Sequence, residues 1–174
     1  MLENHITVAS DGGCSPNPGR GGWAFAMFHG TPREGNELLA PDEKPLSGAG
    51  YSPSSTNNIM ELTGLIRALQ ALRDELRAGR VTPCLVKLRL DSQYTLNSFF
   101  DWMPGWKRRG WKKADGDAVK NVKEMQALDA LKSELTSLGV TFEKVWVRGH
   151  SGDYANELVD IMLNDARAAG IKAM

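Results

Sequence analysis

The chain has 174 residues, 41% hydrophobic and 24% charged, and its 21 Lys and Arg balance 21 Asp and Glu. This is ordinary for one globular domain spanning residues 1–174, large enough to bury a core without disulfides or a structural metal. Zero formal net charge excludes a protein that coats nucleic acid with its whole surface, though not one with a local basic patch. No run of about 18 apolar residues is present, and the N-terminus lacks a basic segment followed by an apolar one. Neither a membrane span nor a signal peptide is therefore expected. Cys14 and Cys84 form no metal-binding spacing and fit reduced thiols in a cytoplasmic protein better than one disulfide.

His5 to Ser10 alternates, with Ile6 and Val8 on one face, and meets the turn signal Asp11-Gly12-Gly13. The Gly/Pro run from Pro16 to Gly22 predicts a turn, and Trp23 to Phe28 a second strand paired with the first. Gly, Pro and Ser enrich residues 30 to 56, where a third short strand is expected around Leu38-Leu39 and Tyr51 with a long loop inside. From Asn58 to Ala78, Leu62, Leu65, Leu69, Leu72 and Leu76 recur at steps of 3 and 4, which predicts an amphipathic helix stopped by Gly79. Leu85 to Leu90 reads as a strand ending at Asp91, and Gln93 to Phe100 as a helix. Pro104, Gly105 and Gly110 predict a loop or broken helix after it. Val119 to Leu138 reads as a second long helix, Val140 to Val147 as a strand, and Tyr154 to Ala169 as a last helix stopped by Gly170. The order implies an α/β sheet that begins as antiparallel hairpins and continues through parallel crossovers.

Four carboxylates stand where surface charge is not the obvious reading. Asp11 ends the first strand, although Asp-Gly is also a common turn pair. Glu61 opens the long helix, where it also fits a capping box with Asn58. Asp91 ends a strand, where open α/β sheets place ligands, yet it could simply cap the helix at Gln93. Asp160 interrupts Leu158-Val-Asp-Ile-Met-Leu163 inside a helix, where Asp is a poor former and a lone buried carboxylate is costly. Oxygen-only ligands suit a hard cation such as Mg²⁺ or Mn²⁺ rather than zinc, and two such ions can clamp the oxygens of a phosphodiester. His150, in Arg148-Gly-His-Ser-Gly152, is either a loop histidine bonded to backbone or a mobile proton carrier.

One segment breaks the neutral balance. Five of the seven residues from Lys107 to Lys113 are Lys or Arg, and Trp102, Trp106 and Trp111 are interleaved with them. Such a stretch suits a polyanionic substrate.

Five pieces, in order, carry a resemblance: SDGGCSPNPGRGGW from Ser10, STNNIMEL from Ser55, LDSQYTLN from Leu90, WKRRGWKKADG with VKNV from Trp106, and VRGHSG with NELVD from Val147. Together they resemble type 1 ribonuclease H, in the bacterial single-domain form. The resemblance implies a five-stranded mixed sheet flanked by helices. It also implies a monomeric endonuclease that hydrolyses the RNA strand of RNA–DNA hybrids, leaving 5′-phosphate and 3′-hydroxyl ends. Two Mg²⁺ ions, with Mn²⁺ able to substitute, would be held by Asp11, Glu61, Asp91 and Asp160, with His150 assisting proton movement or product release. Contacts to the RNA strand fall on Cys14, Asn17, Asn57, Asn58 and Gln93, and a DNA-phosphate pocket on Thr56 and Asn121. A basic protrusion runs over Trp102, Trp106, Lys107, Arg108, Arg109, Trp111, Lys112 and Lys113. Within it, Trp102 and Trp106 are expected to pack the protrusion together and Trp111 to lie against a deoxyribose. No hybrid-binding domain is expected ahead of it.

Three features depart from the pattern. The loop from Gly30 to Gly50 is long, Ser54 and Ile59 stand where basic residues are common, and Asp115 and Asp117 dilute the protrusion's charge. Two other readings are another nuclease of the same superfamily, such as a resolvase or integrase core, and a hybrid-binding module without catalysis. The Trp/Lys segment and TNNIMEL speak against the first, and the four carboxylates against the second.

Overall fold

A computed structural model describes residues 5–30 and 45–173. β1 (His5–Cys14), β2 (Gly19–His29) and β3 (Leu46–Ser55) form an antiparallel meander. β4 (Leu85–Leu90) then pairs parallel with β1, and β5 (Thr141–Trp146) parallel with β4, so the sheet order is β3-β2-β1-β4-β5. The helices are α1 (Asn57–Arg77), α2 (Gln93–Asn97), α3 (Met103–Arg108), α4 (Val122–Ser137) and α5 (Tyr154–Lys172), with a π turn over Ser98–Trp102 joining α2 to α3. This is the five-stranded mixed sheet with flanking helices that the sequence predicts.

The two faces of the sheet differ in side-chain size. Ile6, Val8, Phe25 and Met27 pack with Leu62, Leu65, Leu69 and Leu72 of α1 and with Met125, Leu128 and Leu135 of α4. Each fully buried Leu contributes about 1.5–3 kcal/mol relative to an exposed one, so the leucine stripe fixes α1 on this face. The other face presents Ala9, Ala24, Ala26 and Phe28 to Ala155, Val159 and Leu163 of α5. Small residues here let α5 lie close to β2.

Several elements differ from their sequence-based bounds. β1 does not turn at Asp11 but runs to Cys14, with Asp11 opposite Ala24 and Gly12 opposite Trp23. Gly12 serves packing rather than a turn, because a Cβ there would lie 2.1 Å from the Met60 carbonyl carbon of α1. α1 is capped by Thr56, whose hydroxyl accepts the Ile59 N–H at 3.2 Å, so Asn58 and Glu61 form no capping box. Ser92 rather than Asp91 caps α2, accepting the Thr95 N–H at 3.1 Å. Gly170 does not stop α5; a Cβ there would lie 2.1 Å from the Tyr51 ring, so it is the bare site where α5 meets β3. α4 begins at Val122 rather than Val119. β3 includes Tyr51, whereas Leu38-Leu39 lies outside the described residues. Among the described residues, no helix is long and apolar enough to cross a membrane.

Candidate active site

The site lies at the end of the sheet where β1 and β4 run side by side. Asp11 lies within β1, Asp91 directly follows β4, and Glu61 sits on the second turn of α1. Each places one carboxylate oxygen within 4.8 Å of the others. The close approach at Gly12 and Met60 brings the first and third together, because the residues on either side of that contact are Asp11 and Glu61. Gly149 lies against Asp91: a Cβ there would be 3.2 Å from Oδ2 of Asp91. The Trp146 indole donates to the Asp91 carbonyl at 3.1 Å, fixing the chain where it leaves the sheet.

Three carboxylates this close repel one another. Asp11 is only 6% exposed. Burial, then the Asp91 charge, push its pKa from 3.8 to about 7, against the opposing bonds from Glu61 and the Gly12 N–H. Burial, followed by the charges of Asp11 and Asp91, holds Glu61 well above the usual carboxylate range. A cluster of hard oxygen donors that resists ionisation on its own fits a divalent cation, which would supply the missing positive charge. Asp160 lines the same cleft and its charge acts on Asp11, but it lies outside the group of three. It is half-buried rather than buried, and Asn164 Nδ2 donates to its backbone carbonyl at 2.9 Å and its carboxylate at 3.5 Å. That bond partly satisfies a carboxylate the helix would otherwise leave alone.

The expected substrate residues divide into groups. Cys14, Asn57, Asn58 and His150 line the cleft with the carboxylates. Asn57 Oδ1 accepts the Cys14 N–H at 2.7 Å, and Asn17 Oδ1 accepts the Asn57 N–H at 3.0 Å, so these three form one strip. Gln93 is exposed on the first turn of α2. Thr56 and Asn121 stand apart from the cleft at the starts of α1 and α4, and Asn121 Nδ2 donates to the Tyr94 hydroxyl at 3.1 Å. Helix starts present free N–H groups suited to phosphate. His150 is exposed, with φ 55° between Gly149 and Gly152.

The basic protrusion is built rather than loose. Trp106 is 9% exposed and Trp102 is 43% exposed; their rings lie 5.9 Å apart, and the Tyr94 ring is 6.4 Å from Trp102. Trp106 therefore packs the protrusion to the core, while Trp102 is shared between packing and surface. Trp111 is partly buried, and its N–H donates to the Trp106 carbonyl at 2.7 Å. A small antiparallel ribbon pairs Lys112 with Ala118. Not every charge is free: Lys107 pairs with Asp129 at 3.2 Å, Lys113 with Asp115 at 3.7 Å, and Arg109 Nε donates to the Lys112 carbonyl at 3.0 Å.

Several residues carry little sequence signal for their place in the site. Arg89 Nε donates to Asp153 at 2.9 Å, with a second bond from Nη2, while Asp153 also caps α5 by accepting the Asn156 N–H at 3.0 Å. That pair closes the loop carrying His150. Only the helix-start pattern before Tyr154 hints at Asp153. Asn164 and Arg167 also line the cleft, and their helical spacing from Asp160 is the one cue available.

The RNase H family model matches residues 3–168. The chain is 40% identical over 159 residues to a ribonuclease H of Cupriavidus necator, covering 91% of this chain and 92% of that one. Its structure resembles LC9-RNase H1, a type 1 RNase H with the type 2 active-site motif (TM-score 0.72, 24% identity, 97% of this chain and 74% of that chain). It also resembles LC11-RNase H1, solved in complex with an RNA/DNA hybrid (TM-score 0.63, 19% identity, 95% of this chain and 99% of that chain). The chain belongs to the RNase H family of enzymes.

Proposed function

We propose that residues 1–174 form a single, monomeric cytoplasmic catalytic domain that cuts the RNA strand of RNA–DNA hybrids endonucleolytically. The products are 5′-phosphate and 3′-hydroxyl ends. The observation that carries this reading is the convergence of Asp11, Glu61 and Asp91 within 4.8 Å, in a cleft also lined by His150 and by the asparagines of α1. Family membership and the hybrid bound by LC11-RNase H1 support the substrate class.

Asp11, Glu61 and Asp91, with Asp160 at the rim, would hold two Mg²⁺ ions. When bound, such ions supply the positive charge that stabilises the attacking and leaving oxygens of a phosphodiester. The chain's own groups do the rest. Asn57, Asn58, Asn17, Gln93 and the Cys14 backbone present the donors and acceptors that a 2′-hydroxyl needs, which selects RNA in the cut strand. Thr56, Asn121 and the protrusion grip the partner strand through its phosphates. Such contacts carry register but no base sequence, so cleavage is largely sequence-independent. His150, on a loop flanked by glycines, moves a proton at the leaving oxygen or assists product departure.

The test is incubation of end-labelled RNA–DNA hybrid, duplex DNA and duplex RNA with Mg²⁺, alongside a chelated control. Cleavage confined to the RNA of the hybrid, and abolished by chelation, is expected. Equal cutting of duplex DNA, or binding of hybrid without cutting, would refute the reading.

A further inference from the structure

One wall of the cleft holds a charge that neither the carboxylates nor the protrusion accounts for. Asp160, Leu163, Asn164 and Arg167 all line it, and their spacing puts them on one face of α5. Among the described residues that line it, Arg167 is the only Lys or Arg. Its stem is fixed: a Cβ on Gly22 would lie 3.3 Å from Arg167 Cβ and 2.4 Å from the Leu163 carbonyl oxygen, so α5 rests directly on β2. The side chain is half-buried and, among the described residues, makes no ion pair, although four carboxylates face the same cleft. Its charge reaches the thiol of Cys14, which lines the same cleft and pairs with Gly21 beside the Gly22 contact.

The topology gives that charge a direction. Met103 and Trp106 of the α2–α3 protrusion pack on the sheet face covered by α1 and α4, whereas α5, which carries Arg167, covers the other face and rests there on β2. The protrusion and Arg167 thus flank the carboxylates from opposite sides. Arg167 stands seven residues beyond Asp160, about 10 Å along the helix, too far to serve the scissile phosphate together with it. A guanidinium placed there, with no ion pair among the described residues, suits the bidentate recognition of a phosphate.

We propose that Arg167 binds a backbone phosphate of the cut strand next to the scissile one, fixing that strand on the Cys14 side of the cleft. The inference rests on the hybrid-cleavage reading above.

The test uses hybrids that each carry one uncharged methylphosphonate linkage at successive positions along the cut strand. KM, kcat and the Mg²⁺ dependence are measured for wild type, Arg167→Gln and Arg167→Lys. Arg167→Gln should raise KM about tenfold, the loss of one charged hydrogen-bonded contact, with a much smaller change in kcat. It should also flatten the log–log salt slope by roughly 0.7–0.9, and Arg167→Lys should recover part of the loss. One linkage near the cut should weaken wild type and leave Arg167→Gln no worse. Equal sensitivity of both proteins at every linkage would overturn the proposal. So would an altered Mg²⁺ half-saturation with unchanged KM, which would place Arg167 in service of the carboxylates. If Arg167→Gln does not fold, Arg167→Lys should show a smaller KM penalty than wild type at that one linkage, and equal penalties at every linkage would overturn the proposal. Wild type that leaves hybrid uncut would instead overturn the hybrid reading itself.

Discussion

Gly12 and Met60 touch backbone to backbone: a Cβ on Gly12 would lie 2.1 Å from the Met60 carbonyl carbon and 2.4 Å from the Glu61 nitrogen. Nothing flexible stands there to yield. The contact sets how far β1 lies from α1, and therefore how far Asp11 lies from Glu61. Gly12→Ala should push the helix away, lowering stability toward the top of the roughly 1–3 kcal/mol range for overpacking and weakening Mg²⁺ binding as well. Urea unfolding midpoints and calorimetric Mg²⁺ titration check both. Unchanged Mg²⁺ affinity in a folded Gly12→Ala protein would show that this contact does not set the carboxylate spacing.

Asp11→Asn should abolish cleavage while leaving hybrid binding, because the amide keeps the shape and loses the charge a hard cation needs. The same substitution has a signature in stability. Asp11 holds its proton up to about pH 7 when folded, against 3.8 as its ordinary value. Folding of the metal-free protein therefore takes up a proton between those values, and stability falls as pH rises through that window. Glu61 shifts in the same direction. In chelator at pH 8, Asp11→Asn should melt above wild type, and the gap should close toward pH 4. Metal loading must displace that proton, so apparent Mg²⁺ affinity of wild type should fall as pH drops below about 7. Thermal melts across pH and Mg²⁺ titrations provide the measurements. A variant less stable than wild type at pH 8 in chelator would contradict the assigned repulsion.

The sequence discloses this fold unevenly, for physical reasons. Leu62, Leu65, Leu69 and Leu72 announce α1 because burial follows a fixed helical period, and all four are buried. The carboxylates are individually ambiguous, since Asp and Glu also serve turns and caps; the structure separates those roles by giving the caps to Thr56 and Ser92. Glycine misleads most. Gly12 looks like a turn and Gly170 like a helix stop, but both are bare because another element's atoms occupy the space of a Cβ. Such contacts join residues far apart in the chain, and no local pattern records them. The Arg89–Asp153 pair and the Trp146 bond to Asp91 are hidden for the same reason.

His150→Ala should slow turnover without eliminating it. A positioned proton carrier contributes typically ~10²–10⁴-fold where chemistry is limiting, and the carboxylate cluster is untouched by the change. Single-turnover rates with saturating hybrid and Mg²⁺ give the comparison. A loss as complete as that of Asp11→Asn would make His150 part of the cation site rather than a proton carrier.

The protrusion should act through affinity, and its charges should not act equally. Lys107 is already engaged by Asp129 and Lys113 by Asp115, while Arg109 bonds the Lys112 carbonyl. Arg108 and Lys112 are exposed and form no ion pair among the described residues. They are the charges most available to phosphate. Contacts remote from the scissile bond support ground and transition states alike, so their loss raises KM and leaves kcat nearly unchanged. The double variant Arg108→Gln with Lys112→Gln should therefore raise KM more than Lys107→Gln with Lys113→Gln. Each lost phosphate contact should flatten the log–log salt slope by roughly 0.7–0.9, and the first pair should show the larger flattening. The measurement is KM and kcat for one hybrid across a salt series with wild type and both double variants. Salt slopes parallel to wild type in the Arg108/Lys112 variant, or a collapse of kcat at constant KM, would show that the segment does not clamp the backbone.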